Sequence, residues 1–498
     1  MVGANFVSDD AFIAFRYARN LARGLGLVFN PGERVEGYSD FLLVVVLAGF
    51  QRLGADLLIV GRWLSALGGL ACVVLTGALA RRLLPEAPLA AAGAALVVGA
   101  NPYVAAWGGA GLEQTTFAAL VLAATLVVAG RPATARRFAL ASALALLSAL
   151  TRPEGVAVYA VLGLCALASS QGSLRARLAA LAPGAALFGV VGALYFAWRV
   201  WYFGDWLPNT FYAKSAFTAR HAVRGLEYLG AFAANRFVWL EAPLAAVGAV
   251  ALCRRRQLVV PALLAALLAI VIGEGGDGLP MYRFLVPALP PLAVLAAAGA
   301  AELLGRTLSL APLALVGALS FFPARDVQYL LMVDQRDYEI PRWSAAGQSL
   351  GRALAPDALV AAVPIGALGW YSDLPILDMV GLTDRTIAHA PVPTGSGWAG
   401  HEKHDGAYVV SRRPDAILLG NIFVAGNEAV PFEEFPTFKV PAIGARERDV
   451  LVQPDFGVEY VQAVLPVARD AALQFFLRRN ARTRDARYSP PAPGSELK

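Results

Sequence analysis

The chain has 498 residues, of which 57% are hydrophobic and 16% are charged, and its formal net charge is +6. Soluble globular proteins carry about 25% charged residues, so this composition excludes a protein that is soluble over its whole length. The arginines stand in short clusters between apolar stretches and form no basic face with interleaved aromatic residues, which argues against nucleic-acid binding. The three cysteines, Cys72, Cys165 and Cys253, have neither metal-ligand nor disulfide spacing.

Apolar stretches fill the middle of the chain. We predict an α-helical polytopic membrane protein with an outer loop over 1–56 that carries an acidic motif and a transmembrane domain of about ten helices over 57–322. An extracytoplasmic α/β domain follows over 323–487, and a Pro- and Ser-rich disordered tail over 488–498. The segment 41–53 is interpreted as an interfacial helix. The predicted transmembrane segments are 57–80, 87–104, 115–130, 138–150, 155–170, 178–202, 237–252, 258–273, 284–304 and 308–322.

The arginine clusters predict the topology. They occupy every second loop, at 81–82, 131–137, 175–177, 254–256 and 306, and by the positive-inside rule these loops face the cytoplasm. The intervening loops, the active site and the C-terminal domain then lie on the outer side of the inner (plasma) membrane. Since the chain would begin on that side, we expect either a further transmembrane helix upstream of this sequence or unaided translocation of a short N-terminal tail.

The C-terminal region alternates short apolar runs with mixed polar segments, which is typical of a small α/β domain. The predicted strands are 358–363, 376–380, 416–419 and 449–452, and the segments predicted to be partly helical are 338–354, 405–411 and 456–480.

Two adjacent carboxylates, Asp9 and Asp10, open a helical stretch in the polar first loop. Neighbouring carboxylates either share a raised pKa, so that one of them acts as a base, or hold a divalent metal together. The structural alternative is that they only cap the start of the helix, where acidic residues are common.

The first-loop run reads DDAFIAFRYARNLARGLGLVFNPGERVEGYSDF. It resembles the first outer loop of the terminal arabinofuranosyltransferases of the mycobacterial cell wall, which belong to the polytopic GT-C glycosyltransferases. The resemblance continues in the same order at GLEQT (111–115), TRPEG (151–155), GDWLPNTFYAK (204–214), GGDGLPMYRFLVPALP (275–290) and LDMVGLTDRTIAH (377–389). It implies an inverting transferase that moves a sugar, such as arabinofuranose or another pentofuranose, from a polyprenyl-phosphate donor to an extracytoplasmic glycan or glycoprotein.

In such enzymes an acidic residue of the first outer loop deprotonates the acceptor hydroxyl. The resemblance places this base at Asp9 or Asp10, and we favour Asp9 as the base with Asp10 as its orienting partner. The same loop supplies Arg16, Tyr17 and Glu36 as candidates for contacts with sugar or acceptor.

Charged residues of the later loops have two interpretations each. Glu113 is either a solvated loop residue or a second acidic group near the acceptor. Arg152 and Glu154 flank a proline between apolar helices, where ionisable groups are usually paired or functional.

Two cations stand at membrane-proximal positions, and an acidic residue lies near one of them. Lys214 and Arg283 are candidates for the departing phosphate, which needs positive charge; their alternative is snorkelling at the membrane interface. Asp277 either binds sugar hydroxyls or serves a turn.

The C-terminal loop GSGWAGHEKHDG contains His401 and His404 three residues apart. A metal site needs more ligands than this loop offers, so we interpret it as an acceptor-binding loop in which Trp398 stacks on a sugar ring. No cofactor is predicted with certainty, and a divalent metal stays open. Asp378 and Asp384 follow a predicted strand, where loops often carry function.

The main alternative is a membrane transporter or a lipid-linked-sugar handling protein without transferase activity. Transporters place charges and broken helices near the bilayer midplane and often contain repeats, whereas the polar residues of this chain gather in the predicted outer loops. A third interpretation is an acceptor-binding or assembly protein with an inactive site, against which the Asp9–Asp10 pair argues.

Overall fold

The computed structural model describes residues 6–132, 134–214, 217–321, 327–419, 423–425, 444–467 and 471–484. The chain divides into two compact units. The membrane unit comprises Met1–Val7, Ser39–Asp205 and Phe217–Val333, and the α/β unit comprises Ser8–Tyr38, Trp206–Ala216 and Asp334–Lys498. The acidic first loop and the segment that carries Lys214 therefore group with the C-terminal region. The predicted tail 488–498 lies outside the described residues.

The described part of the chain is largely helical. In chain order its helices are α1 (Asp9–Ala22), α2 (Phe41–Arg52), α3 (Leu57–Leu83), α4 (Pro88–Ala100), α5 (Pro102–Trp107), α6 (Gln114–Val128), α7 (Ala135–Thr151), α8 (Gly155–Ser169), α9 (Leu174–Phe203), α10 (Asn209–Lys214), α11 (Ala219–Ala233), α12 (Val238–Arg254), α13 (Val259–Glu274), α14 (Leu289–Leu308), α15 (Leu310–Phe321), α16 (Val327–Asp334), α17 (Ile340–Ala353), α18 (Gly366–Ser372), α19 (Arg385–Ala388), α20 (Gly406–Ser411), α21 (Ala445–Leu451) and α22 (Phe456–Glu459). A 3₁₀ helix over Arg283–Ala288 leads into α14, and a π-helical turn over Gln335–Glu339 joins α16 to α17.

Every predicted transmembrane segment overlaps a helix of the membrane unit. Three helices, Leu57–Leu83, Leu174–Phe203 and Arg283–Leu308, are long and apolar enough to cross a bilayer by themselves. Helices α11 and α12 meet the same criterion as a pair, but they are bent by 108° at the break between them. The other apolar helices are shorter, so the number of crossings stays a prediction.

Local sequence explains one of the breaks. The predicted segment 87–104 forms two helices because the Asn101 side chain accepts hydrogen bonds from the backbone N–H groups of Tyr103 and Val104. Pro102 follows as the first residue of α5, a position that needs no N–H donor. The two features end α4 at Ala100 and start a new helix.

The described residues of the α/β unit form a six-stranded sheet. Its strands are β1 (Val360–Ala362), β2 (Ile376–Asp378), β3 (Ala416–Ile417), β4 (Phe423–Ala425), β5 (Tyr460–Pro466) and β6 (Ala471–Arg478). Strands β1 and β2 pair in parallel, as do β1 and β3, and β6 pairs antiparallel with β3, β4 and β5.

One prediction for this unit was wrong, because the predicted strand 449–452 lies in helix α21 and the turn after it, where Val450 packs into the buried apolar cluster. The segment 456–480, predicted to be partly helical, is helical only over Phe456–Glu459 and then forms the β5–β6 hairpin. Short apolar runs do not separate helix from strand by periodicity alone, which is the physical reason for both differences. The predicted strands at 358–363, 376–380 and 416–419 are confirmed.

Arg16 fixes α1 to the rest of the α/β unit. Its guanidinium donates to the backbone carbonyls of Phe29, Gly369 and Leu374 and to the side chain of Asn30, and only 2% of the residue is exposed. These bonds join α1 to the first-loop segment after it and to the end of α18. The position of the Asp9–Asp10 pair, at the start of α1, therefore depends on Arg16.

Replacing Arg16 with Met should lower the free energy of unfolding by roughly 2–4 kcal/mol, because it leaves buried carbonyl groups without donors. Arg23→Met is the matched control, since the Arg23 side chain is half-exposed and pairs with Asp373 at the surface; its effect should stay within about 0.5 kcal/mol. Thermal unfolding in detergent measures both. Equal stability of the two variants would contradict a structural role for Arg16.

In the membrane unit, α12 and α14 pack through two glycines. A Cβ atom on Gly248 would collide with the carbonyl oxygen of Leu295, and one on Gly299 would collide with that of Leu244. Small residues allow such close backbone approach between membrane helices.

Gly299→Ala should therefore destabilise the membrane unit by about 1–3 kcal/mol through overpacking. Gly192→Ala in α9 is the control, because a Cβ atom there meets nothing within 4 Å. The measurement is the thermal midpoint of the purified protein. A midpoint for Gly299→Ala equal to that of Gly192→Ala would contradict the close approach.

Candidate functional site

The Asp9 carboxylate is held by the start of helix α18. Its two oxygens accept hydrogen bonds from the backbone N–H groups of Gly366, at 3.1 Å, and Ala367, at 2.8 Å. A helix N-terminus favours such an acceptor because its first N–H groups have no partner within the helix. Burial, together with the neighbouring Asp10, raises the pKa of Asp9 to about 6 despite these hydrogen bonds. Asp9 is thus bound to the backbone of its own unit.

Asp10 faces a cation. Its Oδ2 atom lies 4.0 Å from the Nζ atom of Lys214, and both side chains keep about a quarter of their surface exposed, at 25% and 29%. Lys214 is the last residue of α10, whose first residue, Asn209, donates through its side chain to the carbonyls of Gly381, Leu382 and Asp384. The anchored short helix presents the ammonium group to the carboxylate.

The loop over residues 395–404 borders this ion pair. Its Gly400 has a φ of +79°, and a Cβ atom there would approach the Lys214 side chain to 3.2 Å. Next to it, the His401 ring stacks on Trp398, with centroids 4.3 Å apart and planes at 11°. Burial lowers the pKa of His401 to about 4, and the charges of Lys214 and Asp10 also influence it. His401 is therefore neutral near pH 7.

A third carboxylate, Glu339, was not singled out in the sequence. Burial raises its pKa to about 7, with further contributions from Asp334 and Asp9. It ends the π-helical turn, a rare element that is frequent at functional sites. No spacing rule predicts such a turn from one sequence. We call Asp9, Asp10, Lys214, Glu339 and His401 the acidic site.

The other first-loop candidates are buried. The Tyr17 hydroxyl donates to the carbonyl of Val35 and accepts from the N–H of Gly37, and Arg16 is engaged as described above. Glu36 is 4% exposed, and its backbone carbonyl accepts from Asn209. Both Tyr17 and Arg16 already bond to backbone groups, so we leave the three residues out of the acidic site.

His404 and His401 have different partners despite their spacing. The Nδ1 atom of His404 lies 2.9 Å from Asp449, which also accepts from the backbone N–H of Gly406. Within the described ranges, no group of three or more His, Cys, Asp or Glu side chains has an arrangement that holds a metal ion.

The Asp378–Asp384 cluster organises the loop after β2. Asp378 is fully buried, and its carboxylate accepts from the N–H groups of Val380, Gly381 and Thr383. Asp384 caps α19 through the N–H of Ile387. Both carboxylates thus accept hydrogen bonds from backbone N–H groups of the loop and of α19.

The membrane unit contains a separate set of buried charges. Arg152 donates to Glu113 at 2.7 Å and to Glu154 at 2.5 Å, and Arg283 donates with two nitrogens to Asp277, at 2.6 and 2.8 Å. The Phe284 ring lies beside both guanidinium groups, with 5.1 Å to each. Arg152 therefore forms ion pairs with both Glu154 and Glu113.

Backbone strain marks the approach to Arg283. Met281 and Tyr282 are consecutive non-glycine residues with positive φ, +61° and +46°. Hydrogen bonds hold this conformation, since the Met281 carbonyl accepts from the Trp107 indole and its N–H donates to Gln328. Such outliers cluster at functional sites, so the segment before Arg283 stays a candidate.

The comparisons with known proteins describe the fold. A family model for a domain of unknown function (DUF8728) matches residues 325–464, and no curated protein sequence matches the chain. ArnT from Cupriavidus metallidurans, solved bound to undecaprenyl phosphate, is 14% identical with a TM-score of 0.59 over 98% of this chain and 96% of that chain. The apo state of ArnT gives the same identity and score.

A weaker likeness, with a TM-score of 0.46 and 13% identity, is to the archaeal oligosaccharyltransferase AglB from Archaeoglobus fulgidus in complex with an inhibitory peptide and a dolichol-phosphate. It covers 75% of this chain and 61% of that chain. The similarity to ArnT over nearly the full length of both chains confirms the predicted fold class. This chain therefore has the same fold as ArnT, with apolar helices long enough to cross a bilayer and an α/β unit.

Proposed function

We propose that this protein is an inverting glycosyltransferase that moves a sugar from a polyprenyl-phosphate donor to a glycan or glycoprotein on the outer side of the plasma membrane. The observation that carries the proposal is the carboxylate of Asp10, 4.0 Å from the Lys214 ammonium group and adjacent to the anchored Asp9. The shared fold with ArnT, which was solved with undecaprenyl phosphate bound, supports a lipid-phosphate donor.

We assign the base to Asp10 rather than to the initially favoured Asp9. A general base needs to reach the acceptor hydroxyl, and both Asp9 oxygens already accept backbone N–H groups. Asp10 takes the hydroxyl proton while the acceptor oxygen attacks the anomeric carbon. The bond from that carbon to the phosphate oxygen breaks in the same displacement, so the configuration inverts.

Lys214 has two roles in the proposed reaction. Before the donor binds, its ammonium group pairs with the Asp10 carboxylate at 4.0 Å. The donor phosphate then competes for the ammonium group, which stabilises the negative charge on the leaving polyprenyl phosphate. The flexible lysine stem allows this exchange of partners. Arg283 already forms an ion pair with Asp277. We therefore assign binding of the donor phosphate to Lys214.

The sugar class rests on the resemblance of the first loop and the later motifs to arabinofuranosyltransferases. We propose a pentofuranose, with arabinofuranose as the first donor to test. A panel of polyprenyl phosphates that carry other sugars extends the same assay.

Asp10→Asn should lower transfer at least about 100-fold, because general bases contribute factors of about 10²–10⁴. The assay uses purified protein in lipid nanodiscs, radiolabelled polyprenyl-phosphoryl arabinofuranose and a synthetic arabinofuranose oligosaccharide. Asp373→Asn is the matched control, because this carboxylate of the same unit is 56% exposed and pairs with Arg19; its transfer rate should equal that of the wild type.

Full transfer by Asp10→Asn, with loss of transfer in Asp9→Asn, would return the base to Asp9. Wild-type transfer rates in both variants would contradict the acidic site as the catalytic centre.

The raised pKa of Asp9 should make the free energy of unfolding depend on pH. Its pKa of about 6 in the folded protein exceeds the ordinary 3.8, so the folded state binds more protons between these pH values and its stability falls as pH rises through this range. Asp9→Asn lacks this titration. The thermal midpoint of the wild type, relative to that of Asp9→Asn, should therefore increase from pH 7 to pH 4. A constant difference would contradict the raised pKa.

The alternative, a protein that handles or transports lipid-linked sugars without transferring them, is favoured by one observation. The buried ion network of Glu113, Arg152, Glu154, Asp277 and Arg283 stands among apolar helices. In the same nanodisc assay this alternative predicts saturable binding of the donor with no release of polyprenyl phosphate.

A further inference from the structure

The loop over residues 395–404 is built as a closed ring rather than a loose connection. One carboxylate oxygen of Glu402 accepts hydrogen bonds from three successive backbone N–H groups, those of Gly395, Ser396 and Gly397, at 2.8, 2.8 and 2.6 Å. Charge-assisted hydrogen bonds of this kind are roughly twice as strong as neutral ones. The loop is therefore shaped before any substrate binds.

The ring presents one large aromatic surface. The Trp398 side chain follows the three bonded residues and is 57% exposed, although exposed indoles carry a large unfavourable apolar surface. His401 supports one side of it by parallel stacking. Since His401 is neutral near pH 7, the stack is an uncharged flat platform.

The C-terminal end of the loop is fixed. The Lys403 ammonium group donates to the carbonyl of Ala390, and His404 lies within hydrogen-bonding distance of Asp449. The Arg446 guanidinium donates to the His401 carbonyl at 3.4 Å. The platform is thus held in place in the α/β unit by contacts at His401 and at the two residues 403 and 404 after it.

The platform lies beside the proposed base. Lys214 packs along Gly400, the residue before His401 in the ring, and its ammonium group is 4.0 Å from Asp10. The charge of Asp10 itself influences the His401 ring. A molecule resting on Trp398 therefore has its polar edge next to an ion pair.

Carbohydrates match this combination. The C–H face of a sugar ring is apolar and packs against an indole, whereas its hydroxyl groups bond to charged side chains at the rim. A tryptophan that only anchors the protein in the membrane needs no stacked histidine behind it and no ion pair beside it. A peptide acceptor would gain little from a flat aromatic face.

Resting on the glycosyltransferase function proposed above, we infer that the Trp398–His401 platform is the acceptor subsite and that it binds a sugar ring of a glycan chain. The ring packs on the indole and directs a hydroxyl group towards Asp10. The acceptor of this enzyme is therefore a carbohydrate rather than a bare polypeptide or a lipid. Trp398 is a positioning residue, since it holds the acceptor without taking part in proton transfer.

The kinetic test compares Trp398→Ala, Trp398→Phe and the wild type in nanodiscs, with the arabinofuranose oligosaccharide as acceptor. Trp398→Ala should raise the acceptor KM about tenfold, which corresponds to about 1.4 kcal/mol, with kcat and donor KM changed by less than about twofold. Trp398→Phe should restore most of the affinity because it keeps a stacking ring. Trp63→Ala, which removes a 65% exposed indole from α3, is the control and should leave the acceptor KM unchanged.

A second measurement does not need turnover. Titration of the oligosaccharide into the wild type without donor should change the tryptophan fluorescence, and the same titration of Trp398→Phe should show a much smaller change. This result supports the subsite even if none of the donors is used, in which case only the proposed function fails.

Three results would overturn the subsite. The first is an unchanged acceptor KM in Trp398→Ala when the wild type transfers sugar. The second is an increase in donor KM instead of an acceptor effect, which would assign the indole to the donor. The third is a wild-type fluorescence that does not respond to the oligosaccharide.

Discussion

The hydrogen bonds from the start of α18 to the Asp9 carboxylate are the constraint on which the acidic site depends. Successive residues of an α-helix point about 100° apart, so fixing Asp9 against Gly366 and Ala367 turns Asp10 in another direction. In this structure that direction is towards Lys214. Two adjacent aspartates of the same chemistry thereby acquire different environments, since Asp9 is bound to backbone donors and Asp10 faces the ammonium group of Lys214.

Three buried arginines, Arg16, Arg152 and Arg283, are bonded to other groups of the protein. Arg16 binds three backbone carbonyls and the side chain of Asn30, and it secures α1 against the end of α18. In the membrane unit, Arg152 and Arg283 are each compensated by carboxylates. A buried charge is tolerated only with such partners. The two arginines of the membrane unit therefore stabilise the structure by pairing with carboxylates. Lys214 is more exposed than these arginines, and its ammonium group is farther, at 4.0 Å, from its carboxylate partner. It is therefore the cation better suited to bind and release a substrate.

The helices of the membrane unit could be predicted from the sequence because a long apolar run is rarely compatible with any structure other than a buried or membrane-spanning helix. The start of α1 at Asp9 and Asp10 could be predicted because an acidic pair at a helix start is visible in the residues themselves. The sequence could not separate Asp9 from Asp10, since their difference comes from Gly366 and Ala367, more than 350 residues away. Arg16 and Tyr17 were interpreted as ligand contacts because burial is not visible in a polar segment. Glu339 went unnoticed because a π-helical turn has no sequence signature.

The β5–β6 hairpin shows the same limit in the fold. Its strands contain polar residues, such as the buried Gln474, that interrupt a clean alternation of apolar and polar positions. Tertiary packing against β3 and β4 decides its structure, and local propensity does not.

The stereochemistry of the transferred sugar tests the central claim most directly. If Asp10 acts as a base on the acceptor hydroxyl, the reaction is a single displacement, and the proton NMR spectrum of the purified product must show the anomeric configuration opposite to that of the polyprenyl-phosphate donor. A product with retained configuration would exclude a single back-side displacement and would contradict the assignment of Asp10.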